Sequence, residues 1–146
     1  MRFLSVALAG VLFVLINGWG TDFEDAKKKA EKEHKLILLN FSGSDWCVPC
    51  IKFKKQVFEN TSFQNFADSN LVLVNADFPR LNKNQLSKAQ QKKNDKLADK
   101  YNPDGIFPYT LLLNADGKVI KSWQGFPNLT AEQFTGQIKD IVDAGK

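Results

Sequence analysis

The chain has few of the residues that metal sites and acid–base catalysis need. Its 146 residues include two cysteines, Cys47 and Cys50, and one histidine, His34. Zinc takes four ligands, so a zinc site would need a dimer or acidic ligands, and we expect no metal. A serine or cysteine hydrolase needs a histidine base, and one histidine near the end of a predicted helix argues against that class. No nucleotide-binding motif is present, so we expect no nicotinamide cofactor.

Composition and charge indicate a single globular domain. The chain is 43% hydrophobic and 25% charged, which argues against disorder. The net charge is +4, and most of the excess lies in residues 80–100. We interpret this stretch as a solvated helix face, and a docking surface for an acidic partner is the alternative. Almost no aromatic residues interleave with these lysines, so we expect no nucleic acid partner, and we expect a monomer.

The N-terminal residues have the sequence pattern of an export signal. After Arg2, residues 3–16 carry no charge, and the run is short for a membrane span of about 20 residues. The sequence predicts a signal peptide over 1–20, with Gly18 and Gly20 before a cleavage at Thr21, and a domain over 21–146. An uncleaved signal anchor, which would tether the protein to a membrane, is the alternative. The tail 143–146 is no retention signal, which favours a bacterial periplasm.

The periodicity of apolar residues predicts an α/β domain without repeats. The helix before residue 102 is lysine-rich, with a thin inner stripe of Leu86, Ala89, Leu97 and Tyr101. The predicted order is helix 22–35, strand 36–41, a helix from Cys47, a short amphipathic segment after 60–62, strand 71–76, helix 84–101, strands 109–113 and 118–123 joined as a hairpin, and helix 130–143.

The two cysteines stand three residues apart, at the predicted start of a helix. Free N–H groups at a helix N-terminus stabilise a thiolate, and this spacing puts Cys50 on the same face, one turn deeper. Pro49 fits the first turn because its missing N–H would have no partner there. A bridge over so short a loop constrains the unfolded chain little, which argues against a structural disulfide. The pattern predicts thiol–disulfide exchange, with Cys47 as nucleophile and Cys50 as resolving cysteine.

Four groups of residues resemble the thioredoxin superfamily: the motif Trp46-Cys47-Val48-Pro49-Cys50, the preceding strand Leu38-Leu39-Asn40-Phe41, Phe107-Pro108 before a strand, and Gly125 after the hairpin. More narrowly, residues 45–58 are similar to the C-terminal thioredoxin domain of bacterial thiol:disulfide interchange proteins and to small exported thioredoxin-like proteins. The resemblance covers 22–142. It implies a thioredoxin fold with a central mixed sheet of about four to five strands, flanked by helices.

The resemblance also implies a substrate groove beside the cysteines. Pro108 matches the cis-proline that faces the cysteines in the family, so the Phe107–Pro108 bond should be cis; an ordinary trans-proline opening a strand is the alternative. Backbone beside this proline would pair with the substrate chain, and Gly125 would lie in the same groove. Trp46 would shield the site from solvent; alternatively, it is an ordinary aromatic residue of the core. Val48 and Pro49 would support the cysteines.

Three positions depart from the family pattern. Asn40 stands where thioredoxins carry a buried aspartate that moves a proton for the resolving cysteine, and an amide cannot act as a base. Tyr109 replaces the usual threonine after the cis-proline. Together with Phe107 it suggests a narrower choice of substrates. The basic stretch 78–100 is longer than in the family core, which suggests a dedicated partner.

The residues between the cysteines indicate the direction of electron flow. Strong oxidants stabilise the reduced thiolate, often with a histidine in this position, whereas Val48 and Pro49 offer neither charge nor donor. We therefore expect a reductase of protein disulfides, supplied by a thiol electron donor that is a membrane protein or a partner thioredoxin domain. An isomerase or an oxidase is an alternative. A binding module or chaperone with a passive disulfide is another.

Overall fold

The computed structural model describes residues 18–146. Most of the predicted signal peptide lies outside the described residues. No helix within residues 18–146 has the length and apolar character needed to cross a membrane. The helices are α1 (Phe23–Glu33), α2 (Val48–Phe53), α3 (Thr61–Asn70), α4 (Lys88–Tyr101) and α5 (Ala131–Ala144). The strands are β1 (Leu36–Ser42), β2 (Leu71–Asp77), β3 (Tyr109–Leu113) and β4 (Val119–Gln124), with a π-helical segment over Lys54–Phe58.

The four strands form one mixed sheet in the order β2-β1-β3-β4. β1 and β2 are parallel, whereas β3 is antiparallel to both β1 and β4. β1 is therefore a central strand, which explains its continuous apolar sequence, since both of its faces are covered. The predicted mixed sheet is confirmed, and it has four strands in the described part of the chain.

The alternation of side chains along β1 assigns its residues to two separate cores. Ile37, Leu39 and Phe41 pack with α1 on one face of the sheet. Leu38 packs on the other face with the aromatic side chains of α2, α3 and α5. Because side chains alternate along a strand, Asn40 points to the same face as Leu38, toward the helix that follows the cysteine motif.

Helix ends follow their local capping residues. Asp22 caps α1 by accepting the Asp25 N–H at 3.0 Å, and Thr130 and Gln133 form a capping box at the start of α5. Lys93 of α4 pairs with Asp22 at 2.5 Å, and the hydrogen bond from Lys93 is the main cause that lowers the pKa of Asp22. This pair joins α4 to the N-terminus of α1.

The predicted start of α4 is wrong. The helix begins at Lys88 instead of residue 84, because Ser87 caps it by accepting the Gln90 N–H at 3.1 Å. The predicted inner stripe is also wrong at its N-terminal end, since Ala89 is exposed and Leu86 precedes the helix. The buried residue of α4 is Asn94, whose amide donates to the Asp77 carbonyl at 2.9 Å. A polar side chain with a backbone partner can be buried where apolar periodicity shows no signal.

Residues just before the predicted boundary at Thr21 pack against the domain. The Gly20 N–H donates to the Leu73 carbonyl at 2.8 Å, and the Gly20 carbonyl accepts the Asn75 N–H at 2.9 Å. The Trp19 ring lies edge-on to Phe58, with ring centroids 4.8 Å apart. Gly20 therefore extends the edge of β2, and Trp19 covers part of the core beside α2.

We expect a chain that begins at Thr21 to be less stable than one that begins at Gly18, by about 2 kcal/mol, because it loses two backbone hydrogen bonds and the Trp19 ring contact. The measurement is the free energy of unfolding in urea. Trp19→Ala in the longer chain removes the ring alone and should account for part of the loss. Equal stability of the two chains would show that residues 18–20 add nothing to the domain.

Candidate active site

The cysteine motif lies where β1 passes into α2. Cys47 is the N-cap of α2, and its Sγ accepts the Cys50 N–H at 3.3 Å. Pro49 occupies the first turn of the helix, where its missing N–H costs no intrahelical bond. The two cysteines form a disulfide, with their Cα atoms 5.2 Å apart. Both are buried, whereas Val48 between them is 60% exposed.

Gly43 determines the position of Trp46. A Cβ atom at residue 43 would lie 2.3 Å from the indole ring, so the ring rests directly on the Gly43 backbone. The indole Nε1 donates to the Phe78 carbonyl at 2.7 Å, and the Cys47 N–H donates to the Gly43 carbonyl at 2.9 Å. Trp46 is therefore held from two sides, beside the disulfide. Sequence reasoning did not single out Gly43, and its only signal was its place in the turn before the motif.

Aromatic rings connect Trp46 to the segment that carries the proline. The Phe107 ring lies edge-on to Trp46 at 5.4 Å and to Phe78 at 5.5 Å, measured between ring centroids. The Phe107–Pro108 peptide bond is cis. The Pro108 carbonyl accepts the Gly125 N–H at 2.8 Å, and Gly125 has a φ of 71°, which favours glycine. Gly125 is thus hydrogen-bonded to Pro108, and the Phe107 ring contacts the Trp46 ring.

Tyr109 packs against the same core as Phe107 and Phe78. Its ring stacks on Phe41, with centroids 6.4 Å apart, in the core that contains α1. Asn40 and Thr110 alternate with these residues and point to the opposite face. Phe107 lines the groove beside Trp46, and the effect of Tyr109 on the choice of substrate stays a prediction.

Asn40 belongs to a neutral hydrogen-bond network below the disulfide. Its Nδ2 donates to Asn75 Oδ1 at 3.0 Å, and its Oδ1 accepts the Thr110 hydroxyl at 2.9 Å. Asn40 and Asn75 pair directly across β1 and β2. Asn40, Asn75 and Cys50 border one cavity of about 390 Å³, which Ser42 and Lys55 also line. Among the described residues that line this cavity, Cys50 has polar neighbours but no carboxylate. The sequence pointed to Asn40 but not to its partners Asn75 and Thr110.

Asp45 fixes the loop that faces the motif. Its carboxylate accepts the N–H groups of Arg80 at 2.9 Å and Leu81 at 3.0 Å, and the Asn84 side-chain amide at 3.0 Å. These hydrogen bonds, chiefly the one from the Arg80 backbone, lower the pKa of Asp45. The loop is thus tied to the residue that precedes Trp46, and the bonds hold above the lowered pKa and weaken only in acid.

Comparisons with known proteins agree with this geometry. A family model described as a thioredoxin-like domain matches residues 23–141. The chain belongs to the thioredoxin-like family. With this fold and a Cys47–Cys50 disulfide at the start of α2, it is a thiol–disulfide oxidoreductase.

Two curated relatives of this thioredoxin-like chain come from Chlamydia pneumoniae. The chain is 38% identical over 120 residues to a protein named disulfide bond reductase DsbH, a match that covers 82% of the chain and 70% of the relative. It is 27% identical over 126 residues to a thioredoxin-related protein named DsbJ, covering 86% of the chain but only 35% of that relative.

Solved structures show the same fold. A structure titled DsbH oxidoreductase superposes with a TM-score of 0.77 at 30% identity, covering 86% of this chain and 84% of that one. The oxidised C-terminal domain of DsbD from Neisseria meningitidis superposes with a TM-score of 0.55 at 17% identity, covering 80% and 89%. The second likeness supports the fold alone.

Proposed function

We propose that this thioredoxin-like protein is an exported reductase of protein disulfides. The observation that carries the proposal is the position of Cys47, which caps α2 and whose Sγ already accepts the Cys50 N–H. In the reduced protein the same N–H group would stabilise a thiolate at Cys47. Val48 and Pro49 add neither a charge nor a hydrogen-bond donor, so the thiolate is stabilised only modestly, which favours a reducing potential.

The proposed reaction has two exchange steps. The Cys47 thiolate attacks one sulfur of a substrate disulfide, forms a mixed disulfide and releases the other substrate sulfur as a thiolate. Cys50 then loses its proton and attacks the Cys47 sulfur, which releases the second substrate thiolate and leaves the Cys47–Cys50 disulfide. Two electrons pass to the substrate, and a dithiol electron donor of another protein must return two electrons to the pair.

The cavity beside Cys50 supplies the proposed route for its proton. Asn40 and Asn75 bond to each other and carry no titratable group, so neither can take the proton. The cavity of about 390 Å³ has a mainly apolar wall, but Asn40, Asn75 and Ser42 contribute polar groups to it, and water held there would carry the proton away from Cys50. The groove between Trp46 and Phe107 is the proposed binding place of the substrate chain, with the backbone at Pro108 and Gly125 beside it.

Export supports a role in disulfide chemistry. The uncharged run over residues 3–16 has the character of a signal segment, and a bacterial periplasm permits disulfides to persist. The DsbH relative is named as a disulfide bond reductase, which favours reduction over oxidation in this chain.

The equilibrium reduction potential of the Cys47–Cys50 pair tests the proposal, by titration of the full chain against a thiol buffer. We expect a value nearer to about −270 mV, typical of thioredoxin, than to about −120 mV, typical of strong oxidants. The difference between these limits is large, since about 30 mV corresponds to a tenfold change in the equilibrium constant.

The other outcomes identify the alternatives. A potential close to about −120 mV would make the chain an oxidase, and an intermediate value near about −180 mV would favour an isomerase. If no dithiol–disulfide transition is found, the cysteines are passive and the groove serves a binding module or chaperone.

A further inference from the structure

The cationic side chain of Arg80 lies at the rim of the proposed groove. The Arg80 guanidinium carbon is 3.7 Å from the centroid of the Trp46 ring, a short cation–π distance. Trp46 directly precedes Cys47, so this charge lies beside the disulfide. Arg80 is exposed to solvent.

The backbone of Arg80 is fixed, whereas its guanidinium has no polar partner in the part of the chain that the structure describes. The Arg80 and Leu81 N–H groups donate to the Asp45 carboxylate, which holds the loop against the motif. Within residues 18–146 the guanidinium makes no ion pair and no hydrogen bond; its one contact is the Trp46 ring. Stacking occupies only the face of the guanidinium, so the donors at its edge remain available.

Asp45, whose carboxylate accepts the Arg80 N–H, forms no ion pair with the Arg80 guanidinium. The oxygens of Asp45 are taken by three hydrogen-bond donors of the loop, two of them backbone N–H groups. The pKa of Asp45 is lowered by these bonds, so its charge serves to hold the loop. Arg80 is therefore a positioned cation that lacks a carboxylate within the described chain.

The surroundings of Arg80 fit an extended peptide. Trp46, Phe78, Phe107 and Arg80 line an open groove of about 630 Å³, with Gly105 at one end. Next to it, Val48 is 60% exposed and Leu81 is 48% exposed. The aromatic rings of such a groove can bind apolar side chains of a ligand, and a charged group at its rim selects the charge of that ligand.

We propose that Arg80 determines substrate specificity by binding a carboxylate of the substrate chain. The partner is a protein segment whose disulfide-bonded cysteine lies next to an aspartate or glutamate. Planar guanidinium and carboxylate groups match in a two-point hydrogen bond, which a neutral amide cannot replace with equal strength. This inference rests on the proposed reductase function and specifies which disulfides that reductase prefers.

The test compares two synthetic disulfide-bonded peptides that differ only beside the reactive cysteine. One carries glutamate on both sides of it and the other carries glutamine. The full chain should reduce the acidic peptide with a kcat/KM about threefold to fivefold higher at low salt, the size expected for an exposed ion pair. The preference should shrink as salt is added.

Variants assign the preference to one residue. Arg80→Gln should bring the ratio of the two kcat/KM values close to one, and Arg80→Lys should keep part of it because the charge remains without the planar fork. Lys83→Gln makes the same change of net charge in the same loop and should keep the full ratio. This control separates Arg80 from the general basic character of residues 80–100.

Three results would overturn the proposal. The wild-type chain could reduce both peptides at the same rate, or Lys83→Gln could lower the ratio as much as Arg80→Gln does. Arg80→Gln could also lower both kcat/KM values by one common factor, which would mean that Arg80 acts through Trp46 or Cys47 and not on the substrate. If the wild type reduces neither peptide, the reductase function itself fails, and this inference fails with it.

Discussion

Replacing Cys50 by alanine is expected to convert the enzyme into a covalent trap for its substrates. Cys47 can still attack a substrate disulfide, but the attack that resolves the mixed disulfide is lost. Cys50 normally makes that attack from the neighbouring turn, with the two Cα atoms only 5.2 Å apart. The rate of this intramolecular attack exceeds the rate at which a free thiol in solution attacks the mixed disulfide. Turnover of Cys50→Ala should therefore fall by on the order of a thousandfold. Non-reducing electrophoresis after incubation with a disulfide-bonded protein measures the trapped complex.

The matched control is Cys47→Ala, which should form almost no mixed disulfide because Cys50 lies within α2 and lacks the N-cap position that stabilises a thiolate at Cys47. The double variant gives the background. Equal trapping by Cys47→Ala and Cys50→Ala would show that either cysteine can attack the substrate, and stronger trapping by Cys47→Ala would reverse the assigned roles. Partners that bind equally well to the double variant, without a covalent bond, would indicate a binding module instead.

Asn40→Asp should make the free energy of unfolding strongly dependent on pH. Asn40 is 6% exposed, and burial raises the pKa of a carboxyl above its unfolded value of about 3.9. Between the two pKa values the folded state binds more protons than the unfolded state. Stability is therefore highest below about pH 4 and is lost as the pH rises, by up to about 1.4 kcal/mol per pH unit. A total loss of about 1 to 3 kcal/mol by pH 8 is expected from urea unfolding at several pH values.

The introduced carboxyl should also change the second exchange step. It would border the cavity that Cys50 borders, and it could accept the Cys50 proton where the amide cannot. We expect the rate at which the mixed disulfide is resolved to gain a new dependence on pH. Asn40→Ser removes the amide without adding a titratable group, so it should lose stability with no new pH dependence. A wild-type pH profile in Asn40→Asp would show that the site is as well hydrated as the surface.

Local sequence was sufficient to predict most helices and strands and to place the cysteine pair at the start of a helix. The apolar run of β1, the turn at 114–117 and the capping residues of α1 and α5 act over a few residues, so their patterns predicted these elements within one or two positions. The start of α4 was missed because Ser87 competes locally with earlier polar residues for the cap. The buried Asn94 was missed because its partner is a carbonyl of β2.

The sequence by itself determined that Cys47 and Cys50 share one helix end and that Val48 and Pro49 place no charge between them. These properties depend on the spacing and identity of adjacent residues. Only the tertiary structure decided that Asn40 meets Thr110 and Asn75, and that Arg80 lies on Trp46. Such contacts join residues that are distant along the chain, and they are set by strand register and by the loop bonds of Asp45, which no local pattern encodes.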